Sequence, residues 1–184
     1  MNVASIWRLN RLATSWLLAD VHRGHKNIHT YRNFASNEEH DSIIKENYHN
    51  VVTKRDIVFF LGDIAFTHEA LAEIKTWTAA KKVLIVGNHD LERGIKMRDL
   101  CDTYDEVYAF RRYKEFWLSH PPMHPDELRG KVNVHGHVHD KTIDDPRYFN
   151  VSMENIDMTP INLEVLRERL YHQSNNQPNH YRYC

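Results

Sequence analysis

Short apolar runs in this chain end, time after time, in residues that can bind a metal or move a proton. In Val83-Leu84-Ile85-Val86-Gly87-Asn88-His89-Asp90 the run closes on an amide oxygen, an imidazole and a carboxylate. These could supply a neutral metal ligand, a proton donor and the donor's orienting partner. Ser15-Trp16-Leu17-Leu18-Ala19 leads into Asp20-Val21-His22, an acid and a histidine two apart, which can point to the same side. The run at 56–61 leads into Gly62-Asp63, Glu115-Phe116-Trp117-Leu118 into Ser119-His120, and Val132-Asn133-Val134 into His135-Gly136-His137-Val138-His139. Any one of these histidines alone reads as an ordinary surface or core residue. Five such endings, taken together, read as one site. The two cysteines, Cys101 and Cys184, provide neither a disulfide framework nor a thiolate site, so a metal would have to sit on His, Asp and Asn.

Delivering those groups to one place requires strands whose carboxyl ends share an edge. A continuously apolar run suits a parallel strand covered on both faces, and ligands of open α/β sheets lie beyond the carboxyl ends of such strands. Gly87 is expected to give the sharp turn after the third run. Between the runs, Ser36-Asn37-Glu38-Glu39 has capping-box spacing, and Ile43, Ile44, Asn47, Tyr48 and Val51 extend it, which predicts a helix over about 37–50. Leu71, Ile74 and Trp77 predict a second over about 68–79. This alternation predicts right-handed βαβ units in a largely parallel layer. Further on, a short helix is expected over 96–104. A hairpin should follow, of Val107-Tyr108-Ala109-Phe110 and Glu115-Phe116-Trp117-Leu118 about a basic turn, Arg111-Arg112-Tyr113-Lys114. A last strand over 148–152 and a final helix over 162–171 complete the pattern.

The 184 residues read as one domain over 15–172, with an extension at 1–14 and a polar, fraying tail at 173–184. Twenty-four basic and 25 acidic side chains give a net charge of −1, so no general pull toward nucleic acid or membrane is visible and an anionic substrate must be held locally. The absence of a long apolar span or a signal-like amino terminus predicts a soluble cytoplasmic protein. Oligomeric state is not legible.

The five endings, in their order, resemble the calcineurin-like metallophosphoesterase superfamily, whose blocks read Asp-x-His, Gly-Asp, Gly-Asn-His-Asp/Glu, a lone His, and Gly-His-x-His. Here they run from Asp20 to His139. The resemblance implies an α/β fold, a four-layer sandwich of two mixed β-sheets flanked by helices. It implies two divalent metal ions (Mn, Fe, Ni, Co or Zn, with Mn favoured), the first on Asp20, His22 and His139 and the second on Asn88, His120 and His137, with Asp63 bridging. Two dications less two carboxylates and a hydroxide leave a positive centre for phosphate. The implied reaction is in-line attack by a metal-activated hydroxide. His89 is the implied general acid, and Asp90 is expected to orient it and raise its pKa.

Beside these blocks, His25, Arg23 and Asn27 are candidate substrate contacts. Arg23 stands where small relatives often have an aromatic residue, and Phe66 where some nucleases of the superfamily place a histidine. His29, His40, His49, His68, His124, His135, His172 and His180 read as surface or loop groups, and Arg111, Arg112 and Lys114 as a solvated turn. The reading reached is hydrolysis of a small phosphodiester or phosphomonoester. A nuclease, or a non-catalytic metal-binding scaffold of the same fold, are the alternatives.

Overall fold

The computed structural model describes residues 12–176. Four parallel strands, β1 (Ser15–Leu18), β2 (Ile57–Phe60), β3 (Lys81–Ile85) and β4 (Glu106–Tyr108), form one sheet with a short antiparallel β9 (Ile161–Asn162) beside β1. The crossovers between the parallel strands carry α1 (Ile28–Tyr31), α2 (Asn37–Val51), α3 (His68–Thr76) and α4 (Met97–Thr103). The second sheet is β5 (Phe110–Tyr113), β6 (Phe116–Ser119), β7 (Val132–His135) and β8 (Tyr148–Asn150), with β5 antiparallel to β6 and the rest parallel. A final helix, α5 (Leu163–Asn176), follows β9. Both sheets are mixed, as expected.

Alternation of side chains along β2 explains how the layers stack. Phe59 faces the second sheet, with its ring 4.4 Å from that of Tyr113, whose hydroxyl lies 2.8 Å from Ser15 Oγ. Phe60 faces the helices, stacking on Tyr48 of α2 and meeting Tyr104 edge-on. Trp77, at the end of α3, closes on Tyr48 at 4.5 Å. The anticipated cap of α2 forms. Ser36 Oγ accepts the amide of Glu39 at 3.2 Å, a bond worth roughly 1 kcal/mol, while Glu39 Oε2 accepts the amide of Ala35 at 2.6 Å.

The predicted hairpin is divided differently. Tyr108 still belongs to the first sheet, where its carbonyl accepts the Val86 amide at 2.8 Å, and the chain changes sheets at Ala109. The supposed basic turn is therefore strand β5, and the turn falls on Lys114, at φ 53°. Arg111 pairs with Glu106 and lies over the Tyr108 ring, so it is not a solvated turn residue. His40 and His135, read as surface groups, are buried. Helix α5 runs to Asn176, past the point where fraying was expected. Residues 1–11 and 177–184 of the extension and tail, His180 among them, lie outside the described residues. No helix of the described residues is long and apolar enough to cross a membrane.

Candidate metal centre

Strands β1, β2 and β3 of one sheet and β6 and β7 of the other all release their carboxyl ends into the same cleft. The loops that follow are bound to one another through backbone. The Asp20 amide donates to the Gly62 carbonyl at 3.0 Å, His22 to Asp63 at 3.0 Å, Ala19 to Val151 at 2.9 Å and Gly136 to His120 at 2.9 Å. Five of the expected ligands take positive φ: Asp20 (56°), His22 (55°), Asp63 (55°), His137 (74°) and His139 (53°). A non-glycine residue in this region carries local strain, which persists only where the surroundings fix it.

Two glycines permit the close approach. A Cβ at Gly87 would collide with the Asp63 carboxylate and amide, and one at Gly136 with Ala19 Cβ and Asp20 Oδ2. Gly87 does not adopt positive φ. What glycine gives there is space, not the sharp turn expected of it.

The side chains fall into two groups. Asp20, His22 and His139 present donor atoms within 4.8 Å of one another, and so do Asp63, His120 and His137. Within the second, His120 Nε2 lies 3.2 Å from Asp63 Oδ2, 3.2 Å from His137 Nδ1 and 3.0 Å from Asn88 Oδ1. His120 Nδ1 donates to the Leu61 carbonyl at 2.8 Å, which leaves Nε2 with its lone pair toward the cluster. Asp63 Oδ2 is also 4.0 Å from His22 Nε2, so this carboxylate stands between the groups. Asp20, His22, Asp63 and His120 form a buried floor, and Asn88 and His137 are exposed.

The site fits a cation. Asp20 Oδ1 and both ring nitrogens of His22 are buried without a hydrogen-bond partner, and Oδ1 stops 3.6 Å short of His22 Nε2. Buried polar atoms left unsatisfied are costly, and a divalent ion among these atoms would satisfy them. The acids are ionised and ready to ligate. Burial opposes ionisation of Asp20, but His22, His120 and Ser152 outweigh it and bring the carboxyl down to about 2. Burial likewise opposes ionisation of Asp63, and His120 and the His89 amide outweigh it. Burial holds His22 and His137 below the ordinary imidazole value, whereas Asp63, against burial, raises His120 and Glu154 raises His139, so a cation arriving at those two would displace a proton.

His89 sits at the rim, its side chain 38% exposed, with Nε2 4.0 Å from Asp63 Oδ2 and Nδ1 3.0 Å from Glu92 Oε1. Asp90 does not face it. Its Oδ2 accepts the amides of Gly87 at 2.7 Å and Asp63 at 3.0 Å, and its Oδ1 that of Ile64 at 2.9 Å. The expected orienting role is therefore corrected. Asp90 clamps two ligand loops together, because the turn directs consecutive side chains apart.

Of the tentative substrate contacts, only His25 is beside the centre, its ring 5.6 Å from that of His22 and 4.9 Å from Phe66. Arg23 is turned away into ion pairs with Glu73 (2.5 Å) and Asp41 (3.8 Å). Asn27 is exposed at the start of α1, where its side chain makes no cap bond. Sequence reasoning missed Arg93, which lies over the Phe66 ring at 5.5 Å, and Ser152, whose Oγ donates to Asp20 Oδ2 at 2.7 Å. It also missed Glu154, which accepts from His139 Nδ1 at 3.0 Å, and Arg32 behind it. None of these belongs to a spaced motif that could have signalled it.

The chain is similar to proteins of archaeal and phage origin. An uncharacterized protein of Methanocaldococcus jannaschii is 32% identical over 165 residues, spanning 82% of this chain and 88% of that protein. The gene 66 protein of Mycobacterium phage L5 is 36% identical over 167 residues, spanning 72% and 80%. A solved structure of a protein of unknown function from Aquifex aeolicus superposes with a TM-score of 0.68 at 24% identity, covering 85% of this chain and 99% of that one, and so shares the fold. The model of the calcineurin-like phosphoesterase family matches residues 13–182, so the chain belongs to that family and is a metal-dependent phosphoesterase.

Proposed function

We propose that the protein hydrolyses a small phosphate ester, a phosphodiester or phosphomonoester, at a centre of two divalent ions. The observation that carries this reading is the position of Asp63 between two separate groups of donor atoms. In it, Asp20, His22 and His139 hold one ion, Asn88, His120 and His137 the other, and Asp63 both. Nitrogen and oxygen donors suit Mn, Fe, Co, Ni or Zn, with Mn favoured. When bound, such a pair supplies positive charge for the phosphoryl oxygens and lowers the pKa of water so that it can attack phosphorus.

The chain's own groups do the rest. His89, near Asp63 with its side chain 38% exposed, holds the proton that the leaving oxygen takes up, and the Glu92 carboxylate stands 3.0 Å from its Nδ1. His25 and Arg93, both packed against Phe66, line the rim where a phosphate oxygen would pass. Preference for a small substrate is supported by the balanced charge of the chain, 24 basic against 25 acidic side chains, and by several surface arginines being paired with neighbouring acids. Arg111 pairs with Glu106, Arg147 with Asp145 and Arg167 with Glu115, where a polymer's backbone would call for a free basic stripe.

The test is chelation followed by reloading with Mn(II), Co(II) or Zn(II) and assay on nitrophenyl mono- and diesters, cyclic nucleotides, sugar phosphates and oligonucleotides. Turnover of small esters at a stoichiometry of two ions is expected. Activity confined to oligonucleotides, or full activity with one ion, would overturn the proposal.

A further inference from the structure

We infer that Arg32 and Glu154 are a positioning pair for the first group of ligands. They fix the tautomer and orientation of His139 and so set that group's affinity for a divalent cation separately from the second group's. The inference rests on His139 being a ligand, as proposed above.

His139 lies on a loop at positive φ, with its side chain 38% exposed, and packing alone does not fix the ring. What fixes it comes from one short stretch of chain. Asn155 Nδ2 donates to the His139 carbonyl at 2.5 Å, and Glu154 Oε1 accepts from His139 Nδ1 at 3.0 Å. With Nδ1 carrying the proton, Nε2 is left to bind the ion, and a carboxylate behind an imidazole also makes it a stronger ligand. Ser152, two residues earlier, holds Asp20 Oδ2. The turn Met153–Ile156 and its preceding serine thus address both Asp20 and His139.

Arg32 makes this arrangement rigid. Its side chain is 1% exposed, and Nε donates to the same Glu154 oxygen at 2.8 Å. Nη2 donates to the Asp20 carbonyl at 2.6 Å and Nη1 to His40 Nε2 at 2.9 Å. His40 in turn donates from Nδ1 to Asp41 at 2.8 Å. A guanidinium does not deprotonate, so burying it demands a carboxylate partner, and its planar fork spans acceptors that an ammonium could not reach together. One buried cation therefore ties the backbone of Asp20 to the carboxylate behind His139. No comparable carboxylate stands behind His120, whose Nδ1 is held by a backbone carbonyl. That asymmetry is why the two groups should respond differently.

The experiment is calorimetric titration of Mn(II) into the chelator-stripped full chain, with the Co(II) visible spectrum as a second readout, for the wild type, Glu154→Gln, Arg32→Lys and His139→Ala. In Glu154→Gln one binding step should weaken by roughly 10–100-fold while the other stays unchanged. The stripped protein should melt at a lower temperature, because Arg32 loses its countercharge, and the Co(II) spectrum of the weakened site alone should shift. Arg32→Lys should reproduce the effect more mildly. Should Glu154→Gln not fold, Glu154→Asp keeps the countercharge for Arg32 while drawing the carboxylate back from His139, and the same selective loss is expected. Two unchanged steps in the glutamate variant, or equal weakening of both, would overturn the inference if His139→Ala loses one step. Two intact steps in His139→Ala would instead remove His139 from the ligands, a failure of the reading beneath.

Discussion

Asp63 Oδ2 lies 3.2 Å from His120 Nε2, and the same oxygen is 4.0 Å from His22 Nε2 in the other donor group. Its carboxylate thus lies within 4.0 Å of an imidazole nitrogen in each group. Asp63→Asn keeps the shape but removes the charge, and an amide cannot offer two cations an anionic bridge. The variant should retain at most one ion per chain by elemental analysis and lose nearly all turnover of nitrophenyl phosphates. Two retained ions with wild-type turnover would exclude the bridge.

Much of this site is legible in the sequence because apolar runs and their polar endings are local. A run covered on both faces, stopped by glycine or by a metal-competent residue, announces a parallel strand and its carboxyl end, as at Asp20, Asp63 and Asn88. The chain's change of sheet at Ala109 is not legible, since Val107 to Phe110 is equally apolar on either side of it. Neither is Asp90's direction. Adjacency to His89 suggested contact, whereas the turn sends the carboxylate inward to three amides. Arg32 and Glu154 meet only through the tertiary fold, with no period or spacing to mark them.

Asp90→Asn tests that inward clamp. An amide in the same place would offer one acceptor oxygen and would set an NH2 group against backbone N–H donors. At least one buried amide loses its partner, at a cost on the order of 1–3 kcal/mol. The expected result is a lower denaturant midpoint in the chelated protein, with weaker binding by the second metal group as the Asp63 and Asn88 loops separate. An unchanged midpoint with slower turnover of alkyl esters alone would return Asp90 to the side of His89.

Arg23 should matter for stability and not for substrate. Burial opposes ionisation of Glu73, but Lys45 and Arg23 outweigh it and hold its carboxyl below the ordinary value. A depressed acid stabilises the fold above its unfolded pKa, and that contribution is lost as pH falls through the folded value. Wild-type stability should therefore drop below about pH 4.5, and Glu73→Gln should flatten that part of the profile. Arg23→Ala should lower the urea midpoint at pH 7 with KM unchanged. A raised KM at unchanged stability would make Arg23 a substrate contact.

Arg93 is the opposite case. It is exposed, it lies over Phe66 beside His25, and the described structure gives it no acid partner. Arg93→Ala should leave metal content and the denaturant midpoint as they are while raising KM several-fold for phosphomonoesters, whose extra charge depends more on a local cation. An equal effect on singly charged diesters, or none on either, would remove it from the rim's function.

The role of His89 turns on how much help a leaving group needs. An alkoxide has a high pKa and must be protonated as its bond to phosphorus breaks, whereas a nitrophenolate departs unaided. His89 Nε2 stands near Asp63, but the ring is 38% exposed and belongs to neither donor group. His89→Asn should keep both ions and slow alkyl esters by the roughly 10²–10⁴-fold expected for lost acid catalysis, while nitrophenyl esters slow far less. Because Glu92, and not Asp90, lies 3.0 Å from His89 Nδ1, Glu92→Gln should show a weaker form of the same selectivity. The measurement is kcat for matched alkyl and nitrophenyl esters with metal content determined on the same samples. Equal losses on both esters with both ions present would take His89 out of the proton transfer, and loss of an ion would make it a ligand.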